Sequence, residues 1–524
     1  MRSNTGYNAC CHNDTIPERS TFQVKQLDHE ILCKDKSSLE KRLERKPYED
    51  QPKPMFQRSN IAYEMAERVR AIGYGGVGAI HTLVCRLKLD RSINDQIKLL
   101  KVHVPYFESD HVLNIAYNVP SGGTCLEDIE RLRNDETYMN GLAAERIPDP
   151  TTAGDFLRRF NEGSLLALQE AINDTRRKVW AKQSRSFRKE AIIDADGTIA
   201  VTAGGGKGGM DIAYNGEWGY DPLIISLANT NEVLYVVNRS GNRPSSDGAA
   251  PWIDRAIGQV EGVFKEVWLR GDTDFSLTKN FDRWNERVQF LFGYDARRNL
   301  IERAEELPQK AWKGLERPAR YKVKTRTRRR REWIKERIIR ERGHKNIRLV
   351  SEQVAEFDYR PTQCQNTYRM VVVRKNLSGE KGERVLFDDI RYFFYITNNR
   401  SKSKREIVLL ANDRCNQENV IGQLKSGVHA LRLPSSDLLS NWAYMVIAAL
   451  AWNLKAWYGL MVQAKSKKKD ILRMEFKRCL LSYIHVPCQV LNTGRRLVYR
   501  ILTYSEHLAT FLETFAYIKR LKFT

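Results

Sequence analysis

The sequence predicts an α/β fold, and three observations support this prediction. First, the chain has 524 residues, of which 42% are hydrophobic, and this is enough for a large buried core. Second, helical spacing of apolar residues dominates the stretches before residue 190 and after residue 403. Third, runs rich in β-branched and aromatic residues predict strands at residues 191–201, 222–228, 233–238, 266–269 and 288–294, with a helix at 251–260.

The order of these elements, three strands followed by a helix and a fourth strand, matches the ribonuclease H-like core. In that core the first strand and the end of the fourth present acidic residues side by side. Here the first strand carries Asp194 and Asp196, and alternation places both on one face with Thr198. The fourth strand leads to Asp272. Because a carboxylate in a core strand is costly unless it is paired, and a bound cation is a natural partner, we expect a Mg²⁺ site here.

The charge of the chain indicates a polyanionic partner. The formal net charge is +23 and the isoelectric point is near 9.6. A folded protein with this excess of Lys and Arg most simply binds nucleic acid. The nine cysteines and nine histidines show no zinc-ligand spacing, so we expect reduced thiols in a cytoplasmic, nucleoid-associated protein.

We expect no membrane partner. The N-terminal residues contain no apolar run, which argues against a signal peptide. Residues 442–462 are almost wholly apolar and about one bilayer long, but they include Asn453 and Lys455. Since a charge inside a lone membrane span is expensive, we interpret this segment as a buried helix.

Changes in composition divide the chain into six regions. We expect a disordered or loose polar arm at 1–58, a helical N-terminal DNA-binding region at 59–188, the first part of the core at 189–295, a β-rich basic insertion with a small sheet at 296–400, the second part of the core at 401–465, and a helical C-terminal region at 466–524. Arginine and lysine crowd residues 317–345 of the insertion, where a solvated face and a phosphate-binding surface are both open alternatives.

Local signals place helices in the N-terminal region. Residues 95–104 have helical apolar spacing. Thr124 and Glu127 have the spacing of a capping box for a helix through residue 133, and Thr152 with Asp155 predicts the start of another.

One helix is marked more clearly than the others, at residues 403–427. Ser403 and Glu406 form a capping box, and Gly427 stands at the C-terminal stop. Five residues follow one another at spacings of three or four and so share one face of the helix, namely Ala411, Arg414, Glu418, Ile421 and Lys425. A Glu between two cations suggests a site, although an ordinary Arg414–Glu418 salt bridge is the alternative.

Three carboxylates could support phosphodiester cleavage. Two Mg²⁺ ions activate the attacking oxygen and neutralise the leaving oxygen, and hard oxygen ligands suit this ion. The candidates are Asp196, Asp272 and Glu418. With 64 acidic residues many such triads could be drawn, so their sequence contexts decide.

The context of Glu418 resembles a known family. Residues 416–425, preceded by Arg414, resemble the third-acid helix of DDE transposases encoded by bacterial insertion sequences, which carry Arg, three residues, Glu, six residues and Lys. Arg414, Glu418 and Lys425 fit this spacing, whereas Ala411 replaces the Tyr found in the related signature. Further similarity to the group 1 DDE transposases extends over roughly residues 65–500, at 121–132, 148–160, 214–223 and 492–497.

The other two acids also resemble the family's motifs. By this resemblance Asp196, rather than Asp194, is the first acid, and Gly197 departs from the usual hydroxyl residue. Asp272 corresponds to the second acid, with Asp274 as an extra carboxylate.

The resemblance implies cut-and-paste DNA transposition. Asp196, Asp272 and Glu418 would hold two Mg²⁺ ions, with Mn²⁺ as a substitute, while Arg414 and Lys425 would contact phosphates. The implied partners are double-stranded DNA, both the element's terminal inverted repeats and its target, and a second copy of the chain in a synaptic homodimer. Trp284 could stack on a displaced base, with a core or interface role as the alternative.

Three rival functions remain as alternatives. A different ribonuclease H-like nuclease would have little room for the long basic segment between Asp272 and Glu418. An inactive transposase relic that only binds DNA would be expected to lose an acid, yet all three are present. A structural basic protein would not need carboxylates within a core strand.

Overall fold

The computed structural model describes residues 26–43, 61–65, 69–202, 205–317, 345–381, 384–493 and 496–522. Within the expected loose arm, Gln26–Leu43 is an α-helix instead. This stretch contains neither Gly nor Pro, and its Glu, Lys and Arg residues are good helix formers. The rest of the arm and most of the basic run at 317–345 lie outside the described residues.

The described strands form three sheets. In chain order they are β1 Ala71–Ile72, β2 Glu190–Gly197, β3 Ala200–Val201, β4 Asp211–Ile212, β5 Trp218–Tyr220, β6 Leu223–Leu227, β7 Glu232–Val237, β8 Glu266–Gly271, β9 Gln289–Tyr294, β10 Lys313–Gly314, β11 Lys345–Tyr359, β12 Tyr368–Lys381, β13 Arg384–Thr397, β14 Cys488–Thr493 and β15 Arg496–Ile501. Within the described ranges the large sheet has nine strands in the order β10-β11-β12-β13-β9-β8-β2-β6-β7.

The strand β2 lies between two neighbours of opposite direction. It runs parallel to β8, with Asp194 opposite Arg270, and antiparallel to β6, with Asp196 opposite Ile224. Strand β9 continues the parallel side and β7 the antiparallel side. All five predicted strands are therefore present and are neighbours in one mixed sheet, but the first is shorter than predicted: it ends at Gly197, and Ala200–Val201 belongs to another sheet. Every residue of β6 and β7 is buried, which agrees with their continuous apolar runs.

The β-rich insertion contains strands, but they do not form a sheet of their own. Strand β13 pairs with β9 in antiparallel register, so β10 to β13 extend the large sheet. The pairing covers the edge of β9, whose peptide groups would otherwise be unpaired. Strands β11, β12 and β13 are long, at 15, 14 and 14 residues.

Helices cover the sheet and fill the regions before and after it. Their bounds are Val77–Leu87, Leu89–Gln96, Glu108–Asn118, Ile129–Arg133, Glu136–Gly141, Pro150–Leu157, Glu162–Ala181, Ala249–Val260, Phe281–Asn285, Arg298–Glu305, Lys404–Asn412, Cys415–Gly422, Leu438–Met461, Lys465–Arg473, Phe476–Cys479 and Leu508–Arg520. The helix Ala249–Val260 confirms the one predicted between the third and fourth core strands.

The apolar helix Leu438–Met461 is buried in the protein core. Its polar residues have internal partners: the Asn453 side chain bonds to the N–H and carbonyl of Val233, and Lys455 Nζ donates to the Leu472 carbonyl at 3.2 Å. These contacts satisfy groups that would be costly in an apolar environment. No helix in the described ranges is both long enough and apolar enough to cross a membrane.

Two helix starts in the N-terminal region differ from the predictions. Asp149, and not Thr152, caps the helix Pro150–Leu157: its Oδ1 accepts the Thr152 N–H at 2.9 Å. Thr124 donates its N–H and hydroxyl to Asp128 rather than forming a box with Glu127, and the helix begins only at Ile129. In both places a nearby Asp offers the better acceptor for the free backbone N–H groups.

The predicted helix at 95–104 also ends early, at Gln96. Val102 and Val104 are exposed, so the apolar spacing there has no core to face. In addition, Val104 precedes Pro105, and the residue before a proline disfavours the helical conformation.

The C-terminal region is not helical throughout. Strands β14 and β15 form a hairpin, and β14 pairs with β1 from the other end of the chain. The chain just before this hairpin passes close to Gly76. Position 76 requires glycine, since a Cβ there would lie 2.1 Å from the Tyr483 carbonyl oxygen.

Candidate active site

Two aspartates lie at the same edge of the large sheet. Asp196 is near the end of β2, and Asp272 follows the last residue of β8. The parallel register pairs Asp194 with Arg270, so the next positions on the same side of the two strands are Asp196 and Asp272. The guanidinium of Arg414 contacts both: Nη1 lies 3.0 Å from Asp196 Oδ2, and Nη2 lies 3.5 Å from Asp272 Oδ2.

Asp194 has a different environment from Asp196. Its two oxygens accept hydrogen bonds from Nε and Nη2 of Arg270, each at 2.7 Å, and both side chains are buried. Asp194 therefore joins β2 to β8 through a bidentate ion pair. Of the two aspartates of this strand, Asp196 is the one that retains exposed surface, with 15% of its side chain accessible.

The pKa of Asp196 is raised to about 6. The largest cause is desolvation, and the nearby Asp272 charge adds to it, whereas Arg414 acts in the opposite direction. Two carboxylates placed close together disfavour each other's ionised form, and a cation relieves this repulsion.

Asp274 restrains the second aspartate. Its backbone N–H donates to Asp272 Oδ1 at 3.1 Å, which fixes the carboxylate orientation directly after the strand. Partial burial and the Asp272 charge raise the pKa of Asp274 itself. The extra carboxylate of the second motif, Asp274, thus lies beside Asp272.

Gly197 lies in a position with no space for a side chain. A Cβ there would be 3.0 Å from Ser245 Cβ and 3.1 Å from Asp221 Oδ1. Asp221 is held in place by Arg239, whose Nη2 lies 3.3 Å away. The glycine that replaces the expected hydroxyl residue is therefore matched to its neighbours in this chain.

The predicted helix at 403–427 is interrupted. The capping box exists, because Ser403 N–H donates to Glu406 Oε2 at 2.8 Å and Glu406 N–H to Ser403 Oγ at 3.3 Å. However, the first helix ends at Asn412 and a second, Cys415–Gly422, follows; it passes into a π-helical turn at Gln423–Gly427.

The interruption has an identifiable cause. Arg270 Nη1 donates to the Leu410 carbonyl at 2.8 Å, and this carbonyl would accept the Arg414 N–H in a continuous helix. The Arg414 N–H bonds instead to Ala411 at 3.3 Å. The common face predicted from continuous helical spacing is therefore broken at Arg414, which precedes the second helix.

Gln417 attaches the second helix to the sheet. This buried side chain bonds with Ser226 Oγ and donates to the Ile224 carbonyl at 3.0 Å, and Ile224 is the partner of Asp196 across the β2–β6 ladder. Gln417 was not among the site residues predicted from the sequence. Its signal was a polar residue in the stripe that continues with the buried Val420, Ile421 and Leu424.

Comparison with known families decides the identity of the chain. Residues 70–523 match the family model described as Transposase DDE domain group 1. The chain belongs to this family.

Comparisons with solved structures and with curated proteins add no further argument about the function of this DDE transposase. A solved structure titled "Cryo-EM structure of piggyBac transposase synaptic complex with hairpin DNA (SNHP)" is similar over 79% of this chain and 81% of its own, at 9% sequence identity and a TM-score of 0.34. No curated protein matches the sequence.

Glu418 and Lys425 do not join the aspartates in the structure. Both side chains are exposed, Glu418 in the second helix and Lys425 in the π-helical turn. Over the described part of the chain, no three His, Cys, Asp or Glu side chains are grouped as a metal site. The structure thus brings together Asp196, Asp272 and Arg414.

Trp284 is fully buried, with 0% of its surface exposed. Its Nε1 donates to Asp254 Oδ1 at 2.9 Å, and its ring stacks on Phe292 at a centroid distance of 5.8 Å. In this conformation the ring offers no face to a displaced base, so the base-stacking expectation does not fit the position and the core alternative does.

The donor set fits a hard divalent cation in part. Asp196 and Asp272 supply carboxylate oxygens, which Mg²⁺ prefers, and a guanidinium already lies between them. These two carboxylates at the ends of parallel strands are the ones that could hold a cation. The predicted third ligand, Glu418, lies on the helix that Gln417 holds against β6.

Proposed function

We propose that this chain catalyses cut-and-paste transposition of an insertion sequence, with metal-dependent DNA cleavage and strand transfer at the element's terminal inverted repeats. The observation that carries the proposal is the pair Asp196 and Asp272 at one sheet edge, bridged by Arg414. Membership of the DDE transposase family agrees with it.

The strand arrangement supports a ribonuclease H-like core as part of this proposal. In the order β9-β8-β2-β6-β7, the first strand is central; β8 and β9 run parallel to it on one side, and on the other side β6 is antiparallel to it and β7 is antiparallel to β6. The helix Ala249–Val260 connects β7 to β8. This order delivers the first and fourth strands' acids to one place, as the proposed chemistry needs.

Asp196, Asp272 and Glu418 would hold two Mg²⁺ ions, with Mn²⁺ as a substitute. When bound, the metals would supply an activated water or 3′-OH and neutralise the leaving oxygen. Asp274 would keep the Asp272 carboxylate oriented, and Arg414 and Lys425 would contact phosphates near the scissile bond.

The proposed reaction proceeds by phosphodiester steps. Water attacks a phosphorus at the element's end, and the 3′-oxygen leaves as a free 3′-OH. This 3′-OH is then the nucleophile, first in releasing the element and later at a phosphorus in target DNA, where the target strand's own 3′-oxygen leaves. The partners are double-stranded DNA at every step and a second copy of the chain. The net charge of +23 favours attraction to the DNA backbone.

A strand-cleavage assay tests the proposal. DNA carrying the element's own ends is incubated with the wild type and with Asp196→Ala, Asp272→Ala and Glu418→Ala, in Mg²⁺ and in Ca²⁺. We expect nicking at the ends in Mg²⁺, and a loss of at least about 10²-fold in each variant with DNA binding retained. Asp470→Ala, an exposed carboxylate away from the sheet edge, is the matched control and should cut normally.

Two outcomes would support the rivals. Tight end binding without cleavage in Mg²⁺ or Mn²⁺ would favour a DNA-binding relic. Cleavage that ignores the element's ends would favour another nuclease of the same fold. If Asp194→Ala abolishes cutting in a folded protein while Asp196→Ala does not, the first acid is misassigned.

A further inference from the structure

The side chain of Arg414 holds the place between the two aspartates. Its two terminal nitrogens reach different carboxylates, Asp196 and Asp272, at 3.0 and 3.5 Å. Among the residues that the structure describes, it is the one cation forming an ion pair with either of them. It thus partly neutralises the two negative charges where the proposed function requires a divalent cation.

The backbone around Arg414 is fixed from both sides. The Leu410 carbonyl accepts from buried Arg270, and Gln417 bonds to the Ile224 carbonyl of β6. The Arg414 side chain itself is different, because 20% of it is exposed and its carboxylate partners are 15% and 33% exposed. A long side chain on a fixed backbone can change its partner without moving the helix.

A divalent cation and a guanidinium compete for these carboxylates. Both are positive, so they repel each other at short range, and each would use the same oxygens. A DNA phosphate offers Arg414 another partner, since guanidinium groups bind phosphates as readily as carboxylates, often through two hydrogen bonds. Phosphate binding would therefore release the aspartates for the metal.

We propose that Arg414 couples DNA binding to metal binding: without DNA it occupies the cation position between Asp196 and Asp272, and with DNA it turns to a phosphate and leaves this position to the metal. The inference rests on the proposed function for the identity of both ligands. By linkage, DNA tightens metal binding and metal tightens DNA binding by the same factor. A free transposase would thereby remain poorly loaded with metal until it reaches DNA.

Calorimetric titration with Ca²⁺ tests the coupling, because it reads binding and not cleavage. We compare wild type, Arg414→Gln and Arg414→Lys, each with and without an end duplex. Wild type should bind Ca²⁺ weakly alone and on the order of tenfold more tightly with DNA. Arg414→Gln should bind on the order of tenfold more tightly than wild type without DNA, and should gain little from DNA.

Controls assign the effect to this position. Arg298→Gln removes the same charge from an exposed helix and should titrate like wild type. Asp272→Asn should lose the Ca²⁺ site in every background. Thermal unfolding establishes that each variant is folded; if Arg414→Gln is not, Arg414→Lys carries the test, because its single ammonium cannot contact both carboxylates as a guanidinium does, and it should bind Ca²⁺ more tightly than wild type.

The outcomes separate this inference from the proposed function. Tighter Ca²⁺ binding by Arg414→Gln together with a lost DNA effect supports the coupling, whether or not the wild type cuts DNA. Equal or weaker Ca²⁺ binding by Arg414→Gln, or a DNA effect equal to that of wild type, overturns it even if the wild type is an active transposase.

Discussion

Two ion pairs of the strand β2 differ in burial although their acids are two residues apart. Asp194 and Arg270 are 1% and 2% exposed and share two hydrogen bonds of 2.7 Å, whereas Asp196 and Arg414 are 15% and 20% exposed and share one contact of 3.0 Å. The same chemical groups thus form a buried structural ion pair in one case and a partly exposed contact, which can change partners, in the other. Exposure, more than residue type, distinguishes them.

The largest effect should come from breaking the buried pair. Arg270→Met leaves the Asp194 carboxylate buried without a partner and also frees the Leu410 carbonyl. We expect the free energy of unfolding to fall by about 3–5 kcal/mol, measured by urea denaturation. Arg298→Met, in an exposed pair, should cost less than about 1 kcal/mol.

Adding Asp194→Leu to Arg270→Met sharpens this prediction. The double variant removes the stranded charge and should regain part of the loss. If instead the changes in free energy of unfolding of the two single variants simply add up in the double variant, Asp194 and Arg270 do not form a structural ion pair.

Removing the carboxylate charge from the partly exposed pair, Asp196 and Arg414, should stabilise the fold in a pH-dependent way. Because the folded-state pKa of Asp196 is about 6 and its ordinary value is 3.8, the protonated form is favoured by folding. The ionised carboxylate therefore destabilises the fold; this cost is absent below pH 3.8, grows between 3.8 and 6, and is complete above 6. Asp196→Asn should raise the free energy of unfolding by up to about 3 kcal/mol at pH 8 and by little at pH 4.

Urea denaturation across this pH range measures the effect. Asp470→Asn, at an exposed position, should show no such pH-dependent gain. A loss of stability in Asp196→Asn at pH 8 would mean that its contact with Arg414 is as structural as the buried pair.

The smallest effect concerns the tight position beside Asp196. Gly197→Ser introduces a side chain against Ser245 and Asp221 and should cost about 1–3 kcal/mol, measured by thermal unfolding. Gly314→Ser, where a Cβ meets nothing within 4 Å, should change stability by less than about 0.5 kcal/mol. Adding Ser245→Gly to Gly197→Ser should restore part of the loss, and no restoration would contradict the steric explanation.

Features that depend on residues close together in the chain could be predicted from the sequence. The five strands of the central sheet were predictable, because runs of β-branched and aromatic residues bounded by turns are typical of strands. The capping box of Ser403 and Glu406 was predictable for the same reason, since its partners are three residues apart. Each of these depends on neighbours in the chain.

The missed features depend on contacts between distant residues. The interruption before Arg414 follows from a bond between Arg270 and Leu410, which lie 140 positions apart. The core position of Trp284, which the sequence left as one of two alternatives, is decided by packing on Phe292 and a bond to Asp254. The exposed position of Glu418 could not be derived from its spacing, because that spacing assumes an unbroken helix.

The pairing of β1 with β14 also bears on how this chain is made. Ile72 and its partner Cys488 are 416 positions apart (488 − 72), so the ribosome delivers β14 long after β1. At 5–20 residues per second, β14 is synthesised roughly 20 to 80 s after β1. Both aspartates of the sheet edge are synthesised within that interval, so β1 gains its partner strand only after the two acids of the site have been made.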